Sequence, residues 1–142
     1  MEIEDRAAPY LRQFVLLKHV MPALATRPTH WDLMIDTGQQ LLTFELRQLP
    51  ESDSRSVTVT RLADHRRAYL SFSGPLEADA TGTDRGRVER VAAGWAECRC
   101  QDVTGRVHCQ LTAPELQAEF EYSPCAIGQT TQLAIHRWQL DL

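Results

Sequence analysis

The segment HWDLMID, residues 30–36, places an imidazole and a carboxylate two positions apart, at His30 and Asp32. On a β-strand, side chains at positions i and i+2 project from the same face, so these two groups lie about 6–7 Å apart on one face. The opposite face carries the apolar residues Trp31, Leu33 and Ile35. Two such polar side chains can converge on one metal ion, an arrangement that an ordinary buried strand does not need.

A third candidate ligand, His19, ends the segment FVLLKH and precedes His30 by eleven residues. The intervening VMPALATRPT contains two prolines and is typical of a loop between two strands. An imidazole at the end of the first strand would complete a set of two histidines and one carboxylate. That set suits Mn²⁺, Fe²⁺ or Zn²⁺ and leaves coordination positions open for a substrate. The same spacing also fits surface residues, or core residues held by hydrogen bonds.

A second polar group lies in the segment ADHRRAYLSFSG, which contains His65 and Tyr69 with Arg66 and Arg67 between them. An imidazole proton donor, a phenol hydroxyl and guanidinium groups would together bind a phosphate. Taken alone, the segment is better explained by a solvated or capping histidine and a core tyrosine with its hydroxyl at the rim.

Two further histidines, His108 and His136, occupy strand-like segments without an acidic residue two positions away. We interpret both as structural. The sequence contains no phosphate-binding glycine loop, nucleophile elbow or paired-carboxylate motif.

Short segments with two-residue alternation must position these side chains, and they recur along the whole chain. They are RQFVLLKH, HWDLMID, LLTFEL, SVTVTRL, AYLSF, GRVERV, GRVHCQL, AEFEY and LAIHRWQL, separated by turn-forming pieces such as DTGQ, AAG and QDVTG. Helix signals are weak and limited to a turn or two within residues 2–10 and in TAPELQ. The pattern predicts an all-β fold, a small closed or nearly closed antiparallel β-barrel with at most one or two short helices.

The composition is that of an ordinary soluble protein, with 43% hydrophobic and 24% charged residues in 142. This length predicts a single domain over residues 1–142. The acidic N-terminal segment MEIEDRAAPYL lacks the features of a secretory signal, so we expect a cytoplasmic protein. The net charge of −4 argues against non-specific duplex binding but allows a local phosphate site.

The four cysteines, Cys98, Cys100, Cys109 and Cys125, include no C-x-x-C motif, and we interpret them as free thiols. Cys98 and Cys109 would lie opposite each other if residues 94–112 form a hairpin around DVTG. A disulfide or a thiol-metal site there remains an open alternative.

In their order and context, the two polar clusters resemble the 3′-phosphoesterase domain found at the N-terminus of bacterial DNA ligase D and as free-standing proteins. That family has an apolar strand ending in Lys-His, a loop and His-aromatic-Asp, similar to FVLLKH and HWD here. Its Asp-His, three residues, Tyr and apolar strand closing on Gly resemble DHRRAYLSFSG. GRVERVAAGWAE, LQAEFEY and the terminal WQL are also similar, so the resemblance covers roughly residues 14–140.

The resemblance implies a divalent ion on His19, His30 and Asp32, typically Mn²⁺, with Zn²⁺ or another divalent ion as the alternative. It implies that His65 and Tyr69 contact the phosphate, in a crevice of a small β-barrel. The implied activity is hydrolytic end processing in DNA repair: removal of a 3′-ribonucleoside or 3′-phosphate from a DNA or RNA-primer end. The implied partners are nucleic-acid 3′ ends and a ligase or polymerase acting in trans. We expect a monomer that does not bind membranes.

Two positions depart from the family pattern. Met34 stands where the family has an arginine that helps to clamp the phosphate, and the family's Pro-Lys-Gly passage is replaced by LRQLPES. Losing one charge-assisted hydrogen bond to an oxyanion costs about 1.5–3 kcal/mol, roughly ten- to a hundred-fold in rate or affinity. Arg47, Arg61, Arg66 and Arg67 are the candidates for a replacement charge, and we expect substrate contacts from Arg61, Arg66 and Arg67.

Two other functions stay open on the sequence alone. The first is a non-catalytic module that keeps the metal site and binds nucleic-acid ends or a repair partner. The second is a small barrel that binds an apolar or anionic metabolite, with His19, His30 and Asp32 hydrogen-bonded at its mouth.

Overall fold

Alternating apolar and polar side chains form strands over most of the chain in the computed structural model, which describes residues 9–101 and 103–141. The strands are β1 (Tyr10–Val20), β2 (His30–Asp36), β3 (Leu41–Leu46), β4 (Ser56–His65), β5 (Gly74–Pro75), β6 (Arg87–Cys100), β7 (Val107–Thr112), β8 (Leu116–Tyr122) and β9 (Thr130–Leu140). Among the described residues the only helical element is one 3-10 turn, Arg67–Leu70. None of the helical structure found there has the length and apolar character that a membrane crossing requires.

Eight of the strands close into an antiparallel barrel. Their order is β1-β2-β3-β4-β9-β8-β7-β6, and antiparallel pairing of β1 with β6 completes the ring. β5 is an additional two-residue strand paired with β6. Closure satisfies the backbone groups that an open sheet would leave exposed at its edges. The prediction of an all-β closed barrel is therefore confirmed.

The interior of the barrel is apolar and draws side chains from all eight strands of the ring. Its largest fully buried members include Phe14, Phe44, Phe120 and Trp138. Each large apolar side chain removed from water contributes roughly 1.5–3 kcal/mol, so this interior supplies most of the driving force for folding. Leu33 and Ile35 of β2 belong to it, as the alternation in HWDLMID predicts.

A second, smaller apolar cluster lies on the opposite face of β1, β2, β3 and β6, outside the barrel. We call it the outer cluster, and its buried members are Val15, Leu17, Met34, Leu41 and Val88. Residues 67–76, the covering segment, pack on it through Tyr69, Leu70, Phe72 and Leu76. His19, His30 and Asp32 share this outer face, because they alternate with residues of the barrel interior.

Three local predictions were wrong. AYLSF is not a strand: the 3-10 turn occupies most of it, since β9 takes the place beside β4 and the apolar side chains of AYLSF pack on the outer cluster instead. AAG is not a turn, because Gly94 lies inside the 14-residue strand β6. TAPELQ is not helical but holds the tight β7–β8 turn, in which Ala113 and Leu116 exchange backbone hydrogen bonds. The helical turn predicted within residues 2–10 falls mainly on residues 2–8, outside the described residues, and its last residue, Tyr10, begins β1.

Candidate metal centre

Strand pairing places His19 directly opposite His30. β1 and β2 are antiparallel neighbours, and their register aligns His19 with His30 and Leu17 with Asp32. The two imidazole rings are 4.8 Å apart between centroids and inclined by 57°. The loop between these two adjacent strands therefore brings His19 next to His30, as the spacing of eleven residues predicts.

One ligand atom from each of His19, His30 and Asp32 lies within 4.8 Å of the corresponding atoms of the other two side chains. His30 is fully buried and Asp32 is 4% exposed, whereas His19 lies nearer the surface. The geometric part of the prediction, convergence of the three side chains on one point of the outer face, is thus observed.

Hydrogen bonding fixes the orientation and tautomer of both rings. The Nδ1–H of His30 donates to the carbonyl oxygen of Pro28 at 3.0 Å, which leaves the lone pair of the neutral ring on Nε2. The Nε2–H of His19 donates to the carbonyl oxygen of Arg85 at 2.7 Å, which leaves the lone pair on Nδ1. A backbone carbonyl that orients an imidazole in this way is the usual support for a metal-ligating histidine.

Two buried polar atoms at the centre of the cluster have no hydrogen-bond partner, Nε2 of His30 and Oδ1 of Asp32. They lie 3.7 Å from each other. Because a neutral imidazole lone pair and a carboxylate oxygen are both acceptors, neither can satisfy the other. A divalent cation would satisfy both, so the donor set fits a bound metal ion.

Burial shifts the pKa values of His30 and Asp32 in opposite directions. It lowers the pKa of His30, which keeps the ring neutral and able to offer a lone pair. It raises the pKa of Asp32 to about 7, and the positive charge of Arg27 opposes this rise only in part. A carboxylate is therefore held where its charge is costly unless a cation lies beside it.

Glu45 is a member of the site that sequence reasoning missed. Strand pairing of β2 with β3 places it opposite Asp32, and its Oε2 lies 4.0 Å from Nε2 of His30. The guanidinium groups of Arg27 and Arg47 donate hydrogen bonds to its two oxygens, the latter at 3.0 Å. Burial pushes its pKa up, but these hydrogen bonds prevail and hold the pKa below its usual value. A glutamate inside the otherwise apolar LLTFEL was the available signal.

A crevice of about 760 Å³ opens beside the three candidate ligands. Its walls bring together residues from β1, β2 and β4, the β1–β2 loop, the 3-10 turn and the segment before β6. Those that carry its chemistry are His19, Arg27, Asp32, His65, Tyr69 and Arg85. The two polar clusters that are separate in sequence therefore line one cavity.

His65 and Tyr69 form a pair on one wall of this crevice. Their rings meet edge to face with centroids 5.6 Å apart. The Nδ1–H of His65 donates to the carbonyl oxygen of Ala63 at 3.0 Å, which leaves Nε2 with the lone pair. Desolvation by burial lowers the pKa of His65, so the ring is neutral near pH 7.

The arginines expected to bind substrate lie outside the main crevice. Arg61 donates to the carbonyl oxygen of Cys125, and Arg67 makes two hydrogen bonds to the Asp36 carboxylate at 2.9 and 3.0 Å. Arg66 lines a smaller adjoining pocket of about 350 Å³. Arg47 is bound to Glu45. The cations that do line the crevice, Arg27 and Arg85, were not among the predicted contacts.

Met34, at the position of the family arginine, is 1% exposed, packs in the outer cluster and lines the crevice. An apolar side chain therefore replaces a charge at this point of the wall. The chain matches no protein-family model and no curated protein. The resemblance to the 3′-phosphoesterase domain accordingly stays a prediction.

Proposed function

We propose that this protein is a divalent-metal-dependent phosphoesterase that removes a 3′-ribonucleoside or 3′-phosphate from nucleic-acid ends during DNA repair in the cytoplasm. The observation that carries the proposal is the pair of unpartnered, buried acceptors on His30 and Asp32, because Asp32 lines the same crevice as His19, His65 and Tyr69. Metal ligands and phosphate-binding groups around one cavity are what such a reaction needs.

In this proposal His19, His30 and Asp32 hold the ion, with Mn²⁺ as the first candidate and Zn²⁺ as the alternative. When bound, the ion supplies charge neutralisation at a non-bridging phosphate oxygen and a lower pKa for a bound water. Glu45 reinforces the site, since its negative charge lies 4.0 Å from the His30 ring. Arg27 and Arg47 donate hydrogen bonds to the two oxygens of Glu45, so Glu45 does not compete with Asp32 as a metal ligand.

His65 is the proposed proton carrier. In the substrate-free protein its Nε2 has the lone pair, so the ring can accept a proton at that atom. An anionic phosphate in the crevice would favour the protonated ring, which could then donate from Nε2 to the leaving oxygen. Tyr69 orients the phosphate through its hydroxyl, and the edge-to-face contact with His65 fixes both rings.

Arg27 is the proposed replacement for the charge that Met34 lacks. One Nη2–H of its guanidinium is committed to Glu45, but the group has five N–H donors and its side chain is 42% exposed at the crevice. Binding to Glu45 restricts the motion of the side chain and leaves donors for a phosphate oxygen. Arg85, on another wall, adds a second positive charge.

The apolar part of the crevice supports a nucleotide rather than inorganic phosphate as the occupant. The β1–β2 loop contributes Pro22, Ala23, Leu24 and Ala25 to the wall, and Leu24 is 98% exposed. A crevice of this volume with mixed apolar and cationic walls has room for a sugar and base beside the phosphate.

The direct test is incubation of the purified protein with Mn²⁺ and primers that end in a 3′-ribonucleotide or a 3′-phosphate. We expect release of the terminal group. We expect the rate of release by His30→Ala to be as low as that of the chelator-treated wild-type protein. The matched control is His136→Ala, because His136 lies on β9, which contributes no residue to the crevice, and bonds to Glu121. Untouched primers, or equal rates for wild type and His30→Ala, would exclude the enzymatic function.

The burial of Met34 in the outer cluster favours one second candidate, a module that binds 3′ ends through the metal site without hydrolysing them. This function predicts Mn²⁺-dependent retention of a 3′-phosphate oligonucleotide with no product over long incubation. Equal retention with and without chelator would exclude it.

A further inference from the structure

Two cysteines face each other inside the barrel, away from the metal centre. Cys98 of β6 and Cys109 of β7 occupy directly opposite positions in the antiparallel ladder. Their sulfur atoms are 3.2 Å apart, both side chains are buried, and both are thiols. The proposed phosphoesterase function makes no use of them.

We propose that Cys98 and Cys109 form a redox-active dithiol, which a small peroxide oxidises to an intramolecular disulfide. The site takes hydrogen peroxide or a comparably small hydroperoxide as its co-reactant. It is independent of the metal centre and of the proposed phosphoesterase activity.

The backbone already places the two cysteines at the Cα–Cα distance that a disulfide requires. Directly opposite residues of antiparallel strands have Cα atoms about 4.5–5.5 Å apart, within the range of about 4.4–6.8 Å that disulfides span. The sulfur atoms need to approach by about 1.1 Å, from 3.2 Å to the bond length of about 2.05 Å. Rotation of two side chains can supply this movement without displacing either strand.

A small pocket beside the pair is lined by Cys98 and not by Cys109. Cys98 contributes to a small pocket of about 220 Å³, which is also lined by Tyr10, Arg12 and Tyr122. Cys109 has no exposed surface and does not line that pocket. The pocket has room for a molecule as small as hydrogen peroxide.

The two thiols are also chemically different. Cys109 donates its S–H to the sulfur of Cys98, and this hydrogen bond lowers the pKa of Cys98. The same hydrogen bond and burial raise the pKa of Cys109. Since the thiolate is the nucleophile, Cys98 is the thiol that attacks the oxidant and Cys109 the one that resolves the product.

The reaction balances as two steps. The Cys98 sulfur attacks one peroxide oxygen, the O–O bond breaks, and Cys98 becomes a sulfenic acid with release of water. The Cys109 sulfur then attacks the Cys98 sulfur and displaces its hydroxyl, which leaves as a second water with the Cys109 proton. Overall, two thiols and one hydrogen peroxide give one disulfide and two waters.

The test uses the folded full chain and peroxide, followed by tryptic mapping. Cleavage at arginines separates Cys98 (peptide 91–99) from Cys100 (peptide 100–106), while peptide 107–137 holds Cys109 and Cys125. The Cys125→Ser variant therefore makes each peptide carry one sulfur. We expect a 91–99/107–137 disulfide, a fall in titratable thiols from three to one in this variant, and reversal by dithiothreitol.

Two variants separate the roles of the sulfurs. In the Cys125→Ser background, Cys109→Ala should let the sulfenic acid of Cys98 be trapped by dimedone, whereas Cys98→Ala should leave Cys109 unmodified. Circular dichroism checks that each variant is folded, and wild-type protein, which needs no substitution, should show a higher Tm after oxidation. A different linkage, unchanged thiols in folded protein, or a faster reaction of Cys109 than of Cys98 would overturn the proposal.

Discussion

The Nε2 atom of His30 and the Oδ1 atom of Asp32 lie 3.7 Å apart, and both are buried acceptors without a hydrogen-bond partner. A buried polar group left unsatisfied costs about 1–3 kcal/mol, so a folded protein rarely keeps two of them side by side. A cation between them would remove both costs.

Mn²⁺ should raise the Tm of the wild-type protein and should not raise that of Asp32→Asn, because the variant lacks the anionic ligand. Asp36→Asn is the matched control: Asp36 is a buried carboxylate on the same face of β2, but it bonds to Arg67 and Gly38 instead of facing the cluster. Differential scanning fluorimetry over a range of Mn²⁺ concentrations measures the response. An equal Mn²⁺ response in both variants would refute the assignment of Asp32 as a ligand.

Metal binding should strengthen as pH rises through 7. The pKa of Asp32 is raised to about 7, so below that pH a proton occupies the carboxyl that the metal needs. Affinity for Mn²⁺ should then fall about tenfold for each pH unit below 7 and level off above it. Calorimetric titrations at pH 6, 7 and 8 provide the measurement.

In the metal-free protein, Asp32 should make the free energy of unfolding fall as pH rises, whereas it makes metal binding stronger. A carboxyl whose folded pKa lies above its unfolded value contributes stability below about pH 4, and this contribution is lost as pH rises through about 7. In chelator, Asp32→Asn should therefore gain stability relative to wild type between pH 5 and pH 8. Denaturant unfolding at both pH values tests this, and a constant difference would contradict the raised pKa.

Arg27→Gln should weaken substrate binding, with a rise in KM of about ten- to a hundred-fold, because one charge-assisted hydrogen bond to phosphate is worth about 1.5–3 kcal/mol. Arg47→Gln is the control, since Arg47 also binds Glu45 but does not line the crevice. Comparison of the two variants separates substrate contact from support of Glu45. Similar losses in both would mean that Arg27 acts only through Glu45.

Gly86→Ala should destabilise the protein by about 2–4 kcal/mol, whereas Gly82→Ala should cost only about 1–2 kcal/mol. Both glycines have a positive φ, but a Cβ at position 86 would also collide with the carbonyl oxygen of Val20, and one at position 82 meets nothing. Gly86→Ala should also weaken Mn²⁺ binding, because it displaces the Arg85 carbonyl that orients His19. Urea unfolding and the Mn²⁺ Tm response measure the two effects.

The alternation of apolar and polar residues was sufficient to predict the barrel. A strand with one apolar face packs against a core on that side only, and many such short strands hide their edges by closing around one core. It was also sufficient to predict that His30 and Asp32 share the face opposite Leu33 and Ile35. Alternation does not distinguish a strand from an extended or tightly turned segment whose apolar side chains pack elsewhere. This is why AYLSF, which covers the outer cluster, was predicted as a strand.

By itself, the sequence determined the strand faces and a spacing that lets His19 return to His30 across a loop, since both depend on residues near one another in the chain. Only the tertiary structure decided that Glu45 lies opposite Asp32 and that Arg27 and not Arg61 lines the crevice. It also showed that the pairing of Cys98 with Cys109, which a hairpin around DVTG allowed, is formed and brings the two sulfur atoms within 3.2 Å. The physical reason is that register and loop conformation are set by packing over the whole barrel. A register shift of a single residue would have moved the strand residues Glu45 and Cys109 to the other face of the sheet.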